Sequence, residues 1–425
     1  MKFNRFLVKL SLLLACAGWM LSSCSKGPEL YVSSNHLTIE SYPDTISIDI
    51  SANIRWTISV IQTEKWLTVN PMEGRGNQTI TLIASENEKF AERTALIAIS
   101  SDEMKTDTIK VVQTATLDVV EMIKDEAFLK YCLNEFDKSP KDGKLSQKET
   151  RNALKINVRG LKISSLAGIE YFPNIIELIC TSNNIKSIDL SKNKELKKVD
   201  CSYNPISHLD VSELTRLLEL FVDGAELQTI NVSKNEKLYW LSVSHNYLTT
   251  IELSNNADLE ILECNENYLT KLDLSKNTKL TGLFCVDNDL EALDLNMNKA
   301  LATLWCNNNQ ISRLELSQNT TLLRLSCAKN NLSDLNLNNQ TALIQLLCDA
   351  NQLKTLNVSK NTKLTDLRCT SNKLTDKIDV SNNRLLTYLY LQNNPQLNEI
   401  LVWQGFNEKN NNYQKDATAK YTVVP

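Results

Sequence analysis

From Leu178 to about Asn394 the apolar residues return at one fixed spacing. Around Cys264 they fall on Leu259, Leu262, Cys264, Leu269, Leu272 and Leu274, and the same offsets recur every 21 residues in both directions. Alternation between the position two before the Cys and the Cys itself is the period of a β-strand, whose side chains point to opposite faces in turn. A second alternation, eight and ten residues after the Cys, predicts another extended segment, so each unit reads as one coil with two short straight edges. A period held that strictly describes a stack of near-identical coils, each burying its apolar side chains against the next, rather than a globule with one closed core.

The polar positions repeat as strictly. Asparagine stands three after the Cys position at Asn183, Asn204, Asn246, Asn267, Asn288, Asn309, Asn330, Asn351 and Asn372, with Ala225 as the exception. A buried turn leaves backbone groups to be paired, and an amide side chain both donates and accepts, so a structural ladder is expected. The Cys position holds Cys180, Cys201, Cys264, Cys285, Cys306, Cys327, Cys348 and Cys369, with Val222 and Val243 in the two gaps. Parallel coils stack about 4.8 Å apart with side chains pointing the same way, whereas a disulfide needs Cβ atoms about 3.8 Å apart and facing. Free, buried, apolar thiols are expected, not metal ligands, which must converge from several directions. Nine after the Cys runs Asp189, Asp210, Asn231, Glu252, Asp273, Asp294, Glu315, Asn336 and Asn357. These side chains are expected to bond their own turns, the alternative being a stripe for cations or a basic partner.

The unit resembles the leucine-rich repeat in its 21-residue form, L-x-x-L-x-C-x-x-N-x-L-x-x-L-D-L-x-x-N-x-x, known from bacteria, Bacteroidetes among them. The likeness covers residues 159–402, over half of the chain. One departure is Lys377, inserted so that Ile378 and Val380 fall one step late before the register resumes at Leu389 and Leu391. Residues 403–425 are expected to close the end of the stack.

Residues 30–116 change character. Short alternating runs such as Thr45-Ile46-Ser47-Ile48-Asp49-Ile50 and Trp56-Thr57-Ile58-Ser59-Val60 are separated by turn signals such as Tyr42-Pro43-Asp44. Many short strands with close turns predict an antiparallel β-sandwich. The order Trp56, Trp66-Leu67-Thr68-Val69, Pro71, Gly74, Gly76, Arg93 and the ending Ile109-Lys110-Val111-Val112-Gln113-Thr114-Ala115 resembles a BACON domain, which implies an immunoglobulin-like sandwich. The resemblance implies either carbohydrate binding or a spacer role; Trp56 and Trp66 sit in strand-like runs and are expected in the core, which favours the spacer. The fold class is thus mainly β: an immunoglobulin-like sandwich, a small helical cap over 117–158, and a leucine-rich-repeat solenoid.

Within that cap, Asp125 to Phe136 and Ser146 to Leu154 are read as short helices, the second opened by a Ser146-x-x-Glu149 capping box. The loop between them resembles an EF-hand calcium loop with candidate ligands Asp137, Asp142 and Glu149. One extra residue leaves Lys138 and Pro140 where the first acidic ligands belong. Calcium binding and a plain helix-turn-helix cover for the first coil both stand; no other cofactor is indicated.

Lys2, Arg5 and Lys9 precede an apolar stretch, Leu10 to Leu21, too short to span a membrane and fitting a secretory signal over 1–23. Leu21-Ser22-Ser23-Cys24 resembles a bacterial lipobox, which implies a lipid on Cys24, a linker over 24–29 and a surface-exposed outer-membrane lipoprotein held by its acyl chains alone. With 46 basic and 50 acidic residues and no basic cluster, nucleic acid is excluded as a partner. Only His36, His208 and His245 are histidines, and no H-E-x-x-H, G-x-S-x-G or G-K-[ST] motif occurs, so no enzyme is expected.

The candidate chemistry lies in the rows flanking the Cys, which face outward on the concave side of such a solenoid. They carry Tyr203, Phe221, Tyr239, Trp240, His245, Tyr247, Tyr268, Phe284 and Trp305, in a chain only 6% aromatic. Flat rings with polar neighbours suit a protein contact or a sugar. The expected function is non-catalytic, adhesin-like recognition of a host or microbial protein; a glycan-binding role in polysaccharide capture and a purely structural envelope scaffold are the alternatives.

Overall fold

The alternating runs of residues 30–113 form two facing sheets. The computed structural model describes residues 27–138 and 141–425, and the chain divides between Thr116 and Leu117. The expected signal segment and Cys24 lie outside the described residues. In the first unit, β1 (Leu30–Val32), β2 (His36–Ile39), β3 (Asp44–Ala52), β4 (Arg55–Gln62), β5 (Leu67–Asn70), β6 (Glu73–Arg75), β7 (Gln78–Ala84), β8 (Arg93–Ser100) and β9 (Asp107–Gln113) are ordered β1-β3-β7-β5 in one sheet and β2-β9-β8-β4-β6 in the other. Only β2 with β9 is parallel. Every second residue turns inward, so Ile48, Ile50, Leu82, Ile97, Ile99 and Val111 meet in one core. Trp56 and Trp66 belong to that core, as the strand pattern predicts, at 1% and 3% exposure. The Trp56 indole donates to the Gly76 carbonyl at 3.0 Å. Its ring lies so close to its strand partner Gly74 that a Cβ there would stand 2.3 Å from it, so this position of β6 takes glycine alone unless the ring moves.

The second unit opens with α1 (Glu126–Phe136), N-capped by Asp125, and α2 (Gln147–Asn152), where Ser146 and Glu149 form the expected capping box. Phe136 packs against Phe172 at 5.3 Å between ring centroids, which seats the cap on the first coil. Behind it runs one parallel sheet of 13 strands, from Lys155–Asn157 through Ile261–Glu263 to Tyr413–Gln414. The sheet therefore begins inside the segment read as cap and continues into the segment read as tail. Each repeat strand is three residues long, ends just before the Cys position, and buries its middle residue, for example Leu262. At the far end Trp403, Phe406, Tyr413 and Tyr421 pack against the same core and close it. The late register at Lys377 is a bulge between Asp376 and Lys377.

The asparagine ladder works in both directions at once. The Asn267 amide donates to the carbonyls of Val243 in the preceding coil and of Cys264 and Asn265 in its own, while its oxygen accepts from the N–H of Leu248. The residue before it has a left-handed backbone in coil after coil: Ser182, Tyr203, His245, Glu266, Asp287, Asn308, Lys329, Ala350 and Ser371 all have φ between 50° and 60°. At Ala225 the ladder is broken, and the N–H of Ile206 bonds the Asn204 carbonyl instead.

The second extended segment does not form a strand in most coils. A second amide row, Asn193, Asn235, Asn256, Asn277, Asn298, Asn319, Gln340, Asn361 and Asn383, takes the carbonyls there: Asn277 donates to Leu253 at 3.1 Å and Asn256 at 2.8 Å. Amide side chains thus replace strand pairing on that side, at a cost, because the side-chain oxygens of this row are buried without a donor. Among the described residues strand pairing appears there only at the end, where Thr375–Asp379, Gln396–Val402 and Lys420–Val423 form a three-stranded sheet. The row nine after the Cys bonds its own turns: Asp189, Asp210 and Asp273 each accept from the N–H two residues on.

The ladder cysteines are free and buried. Burial pushes the Cys180 and Cys264 thiols up to about 12. A raised folded pKa means that the folded state keeps its protons where the unfolded chain has lost them, so this stability is intact below about pH 9 and disappears as pH rises toward 12. The urea midpoint of the chain is expected to fall steeply above pH 9. Because Val222 and Val243 already occupy this position, a Cys264→Val, Cys285→Val variant should lose less stability over that pH range than the native chain.

Candidate ligand-binding face

Repeat strands pair in register, so Glu219 stands beside Trp240 and Phe221 beside Ser242. Outward positions of successive strands therefore meet across the sheet. Phe221 and Trp240 form an edge-to-face pair at 5.1 Å, and Phe284 and Trp305 a second at 5.2 Å. Gly282 leaves the room that the Phe284 ring fills, a Cβ there standing 3.2 Å from it. Trp305 is the most open of the four, 40% exposed.

Charged groups surround the first pair. Lys198 bonds Glu219 at 2.7 Å and places its ammonium 5.1 Å from the Phe221 ring centre. Burial works to raise the Glu219 carboxyl, but Lys198 and the Tyr239 hydroxyl outweigh it and hold the carboxyl below its ordinary range. In return the hydrogen bond to Glu219 pushes the Tyr239 phenol up to about 12. The Trp240 indole donates to Glu263 at 3.0 Å, and the Ser242 hydroxyl and Ser244 N–H donate to Asp223 at 2.7 Å each. Burial raises the carboxyls of Asp223 and Glu263, with Asp200 adding to the first and Asp223 to the second.

The remaining candidates sit elsewhere. Tyr203 and His245 occupy left-handed turn positions after the strand, and Tyr247 and Tyr268 stand two residues beyond the left-handed His245 and Glu266 on successive turns. Tyr247 and Tyr268 stack nearly parallel at 6.4 Å, both more than half exposed. His245 bonds Glu266 at 2.8 Å. One predicted patch is therefore two: rings on the sheet face, and a tyrosine ridge along the turns beside it. The row arithmetic counted positions but could not show that the backbone reverses hand two residues after the Cys. It also passed over the carboxylates Asp200, Asp223 and Glu263, and the far-end group of Arg368 with Tyr388 and Tyr390, although the same offsets locate all of them.

Departures from the repeat gather at these coils. Val222 and Val243 replace cysteine, Ala225 replaces the ladder asparagine, and Leu214 interrupts the second amide row. Gly224 stands where other coils carry a left-handed side chain, and the Tyr203 ring covers it.

In the EF-hand-like loop, the Asp137 carboxylate accepts the N–H groups of Asp142 and Gly143, Asp142 accepts from Lys144, and Glu149 accepts from Lys138 and Ser146. The Lys138–Glu149 bond joins the end of α1 to α2. Among the described residues no three His, Cys, Asp or Glu side chains are grouped to hold a metal ion.

Residues 29–116 match the family described as viral BACON domain. The functional domain of InlJ from Listeria monocytogenes, which includes a cysteine ladder, is 31% identical over 73% of this chain and 68% of that one, with a TM-score of 0.63. An internalin from the same organism is 19% identical over 73% and 93%, with a TM-score of 0.53. A leucine-rich-repeat protein of Leptospira interrogans is 20% identical over 66% and 81%, with a TM-score of 0.51. The last two share the fold alone. Comparison with curated proteins returns no match. The molecule is a BACON-type sandwich followed by a parallel repeat solenoid. The chain belongs to the leucine-rich-repeat family, in the form whose ladder position is cysteine.

Gly224 combines φ of 58° with a Cβ position 2.6 Å from the Tyr203 ring. Gly224→Ala is expected to lower stability by about 1–2 kcal/mol in urea unfolding and to shift the Tyr203 ring resonances. An unchanged midpoint and spectrum would show that neither the backbone nor the ring is constrained there.

Proposed function

We propose that the chain is a surface lipoprotein that recognises a protein ligand, without catalysis, through the outer face of its long parallel sheet. The observation that carries this reading is the pair of edge-to-face clusters, Phe221 with Trp240 and Phe284 with Trp305, held on strand positions outside the core. Aromatic side chains fixed on a rigid sheet lose little freedom on binding and form the usual anchors of a protein interface. The ligand is a host or microbial protein, and the role adhesin-like. The sandwich acts as a spacer, supported by the burial of both its candidate tryptophans. Lipid on Cys24 would hold the chain on the outer membrane, supported by the Leu21-Ser22-Ser23-Cys24 sequence. A second reading, glycan binding, is favoured by one feature, the nearly parallel and open Tyr247–Tyr268 stack, which offers a flat platform to a sugar ring.

Soluble chain from Ser25 to Pro425, tested against mucins, matrix proteins and a glycan array, separates these readings. Protein binding that falls at least tenfold in a Trp240→Ala, Trp305→Ala variant with an unchanged urea midpoint is expected. Full retention of binding in that variant would remove the sheet face as the site, and glycan binding lost in Tyr247→Ala, Tyr268→Ala would establish the second reading. In the full-length chain, Cys24→Ser is expected to move the protein out of the membrane fraction.

A further inference from the structure

The sheet face holds two places where a cation, an aromatic ring and a carboxylate come together within the chain. One is Lys198, against Phe221 and bonded to Glu219. The other is Arg368, whose guanidinium lies 5.9 Å from the Tyr388 ring centre and 5.3 Å from that of Tyr390 and bonds Asp366 at 3.0 and 3.2 Å. Between them the coils of Asp200, Asp223 and Glu263 present the same aromatic and carboxylate parts with a different balance. Asp200 accepts from the Ser202 N–H, Asp223 from Ser242 and Ser244, and Glu263 from the Trp240 indole, all neutral donors. Among the described residues no lysine or arginine pairs with any of the three. Neighbouring cations are already engaged, Lys155 with Glu177 and Lys198 with Glu219, and His245 bonds Glu266.

Resting on the protein-recognition reading above, we infer that the partner inserts an arginine side chain here, its guanidinium against the Phe221–Trp240 pair and bonded to the carboxylates of Asp223 and Glu263. Burial first, and then the neighbouring carboxylates Asp200 and Asp223, disfavour the charged forms of Asp223 and Glu263, and an incoming cation offsets both effects by supplying an opposite charge. Arginine fits better than lysine because its planar, weakly hydrated fork both stacks on an indole and bonds two carboxylate oxygens. A partner acidic at this position is rejected by the same three charges.

The test uses the chain from Ser25 to Pro425 on a sensor surface, with an arginine–serine peptide and a glutamine–serine peptide of equal length as probes. The arginine peptide should bind at least tenfold more tightly, and more weakly as salt rises. Asp223→Asn with Glu263→Gln, which removes the charge but keeps on each side chain one oxygen to accept from Ser242, Ser244 and the Trp240 indole, should abolish that difference. Asp189→Asn with Asp210→Asn, on the turn row, should leave it unchanged. Equal binding of the two peptides, or equal loss in both variants, overturns the inference. If the protein ligand is lost in the Trp240→Ala, Trp305→Ala variant yet kept in the Asp223→Asn, Glu263→Gln variant, protein recognition stands and the arginine site falls. If the tryptophan variant keeps the ligand, the recognition reading itself falls.

Discussion

A buried amide that bonds two coils at once is the interaction on which the solenoid depends. Turning the chain every 21 residues carries backbone N–H and C=O groups into the interior, and each one left unpaired costs about 1–3 kcal/mol. The Asn267 side chain meets four of them, two on each side of its own coil boundary or turn, and its equivalents repeat the arrangement. The left-handed residue before each ladder asparagine sets the turn that aims this amide inward. Apolar burial holds the coils together, but it has no direction; the amide ladder fixes the register in which they stack.

That register is what makes a surface out of a repeat. In-register strands bring residues far apart in sequence side by side, so a ring in one coil meets a ring, a carboxylate or an ammonium in the next. The face becomes a lattice with fixed spacing, and its chemistry is written in the two outward positions of each three-residue strand and in the residues that flank them, such as Asp223. Phe221, Trp240, Phe284 and Trp305 are held there by a scaffold whose strands are paired in register from coil to coil. The scaffold leaves their edges open, which is the condition for an anchor that binds without first having to be ordered.

Much of this was legible in the residues. The apolar period located the strands, the repeated asparagines announced the ladder, and Asp125 and Ser146 marked the starts of both helices. Three things were not legible. The alternation eight and ten after the Cys has the period of a strand, yet amide side chains from the neighbouring coil take the carbonyls that a strand would use. The aromatic rows looked like one patch because counting positions does not reveal where the backbone changes hand, and that change sends Tyr203 and His245 to the turns. In the cap, the sequence order left a cation loop and a helix cover side by side, and it does not show that Asp137 and Glu149 accept backbone N–H groups of the loop and of the second helix's start.

The missing amides at Ala225 and Leu214 have a consequence for the whole array. With Ala225 in place of an asparagine the first ladder has no amide between the coils of Cys201 and Val222, and with Leu214 in place of an asparagine the second row is interrupted one coil earlier. In a stack where each coil touches only its neighbours, cooperativity passes from link to link and is limited by the weakest. Two adjacent thin links place a seam a short way into the array. Heat or tension would divide the solenoid there into a short N-terminal block and a long C-terminal one, and the first aromatic pair, spanning Phe221 and Trp240, rides on the edge of that seam.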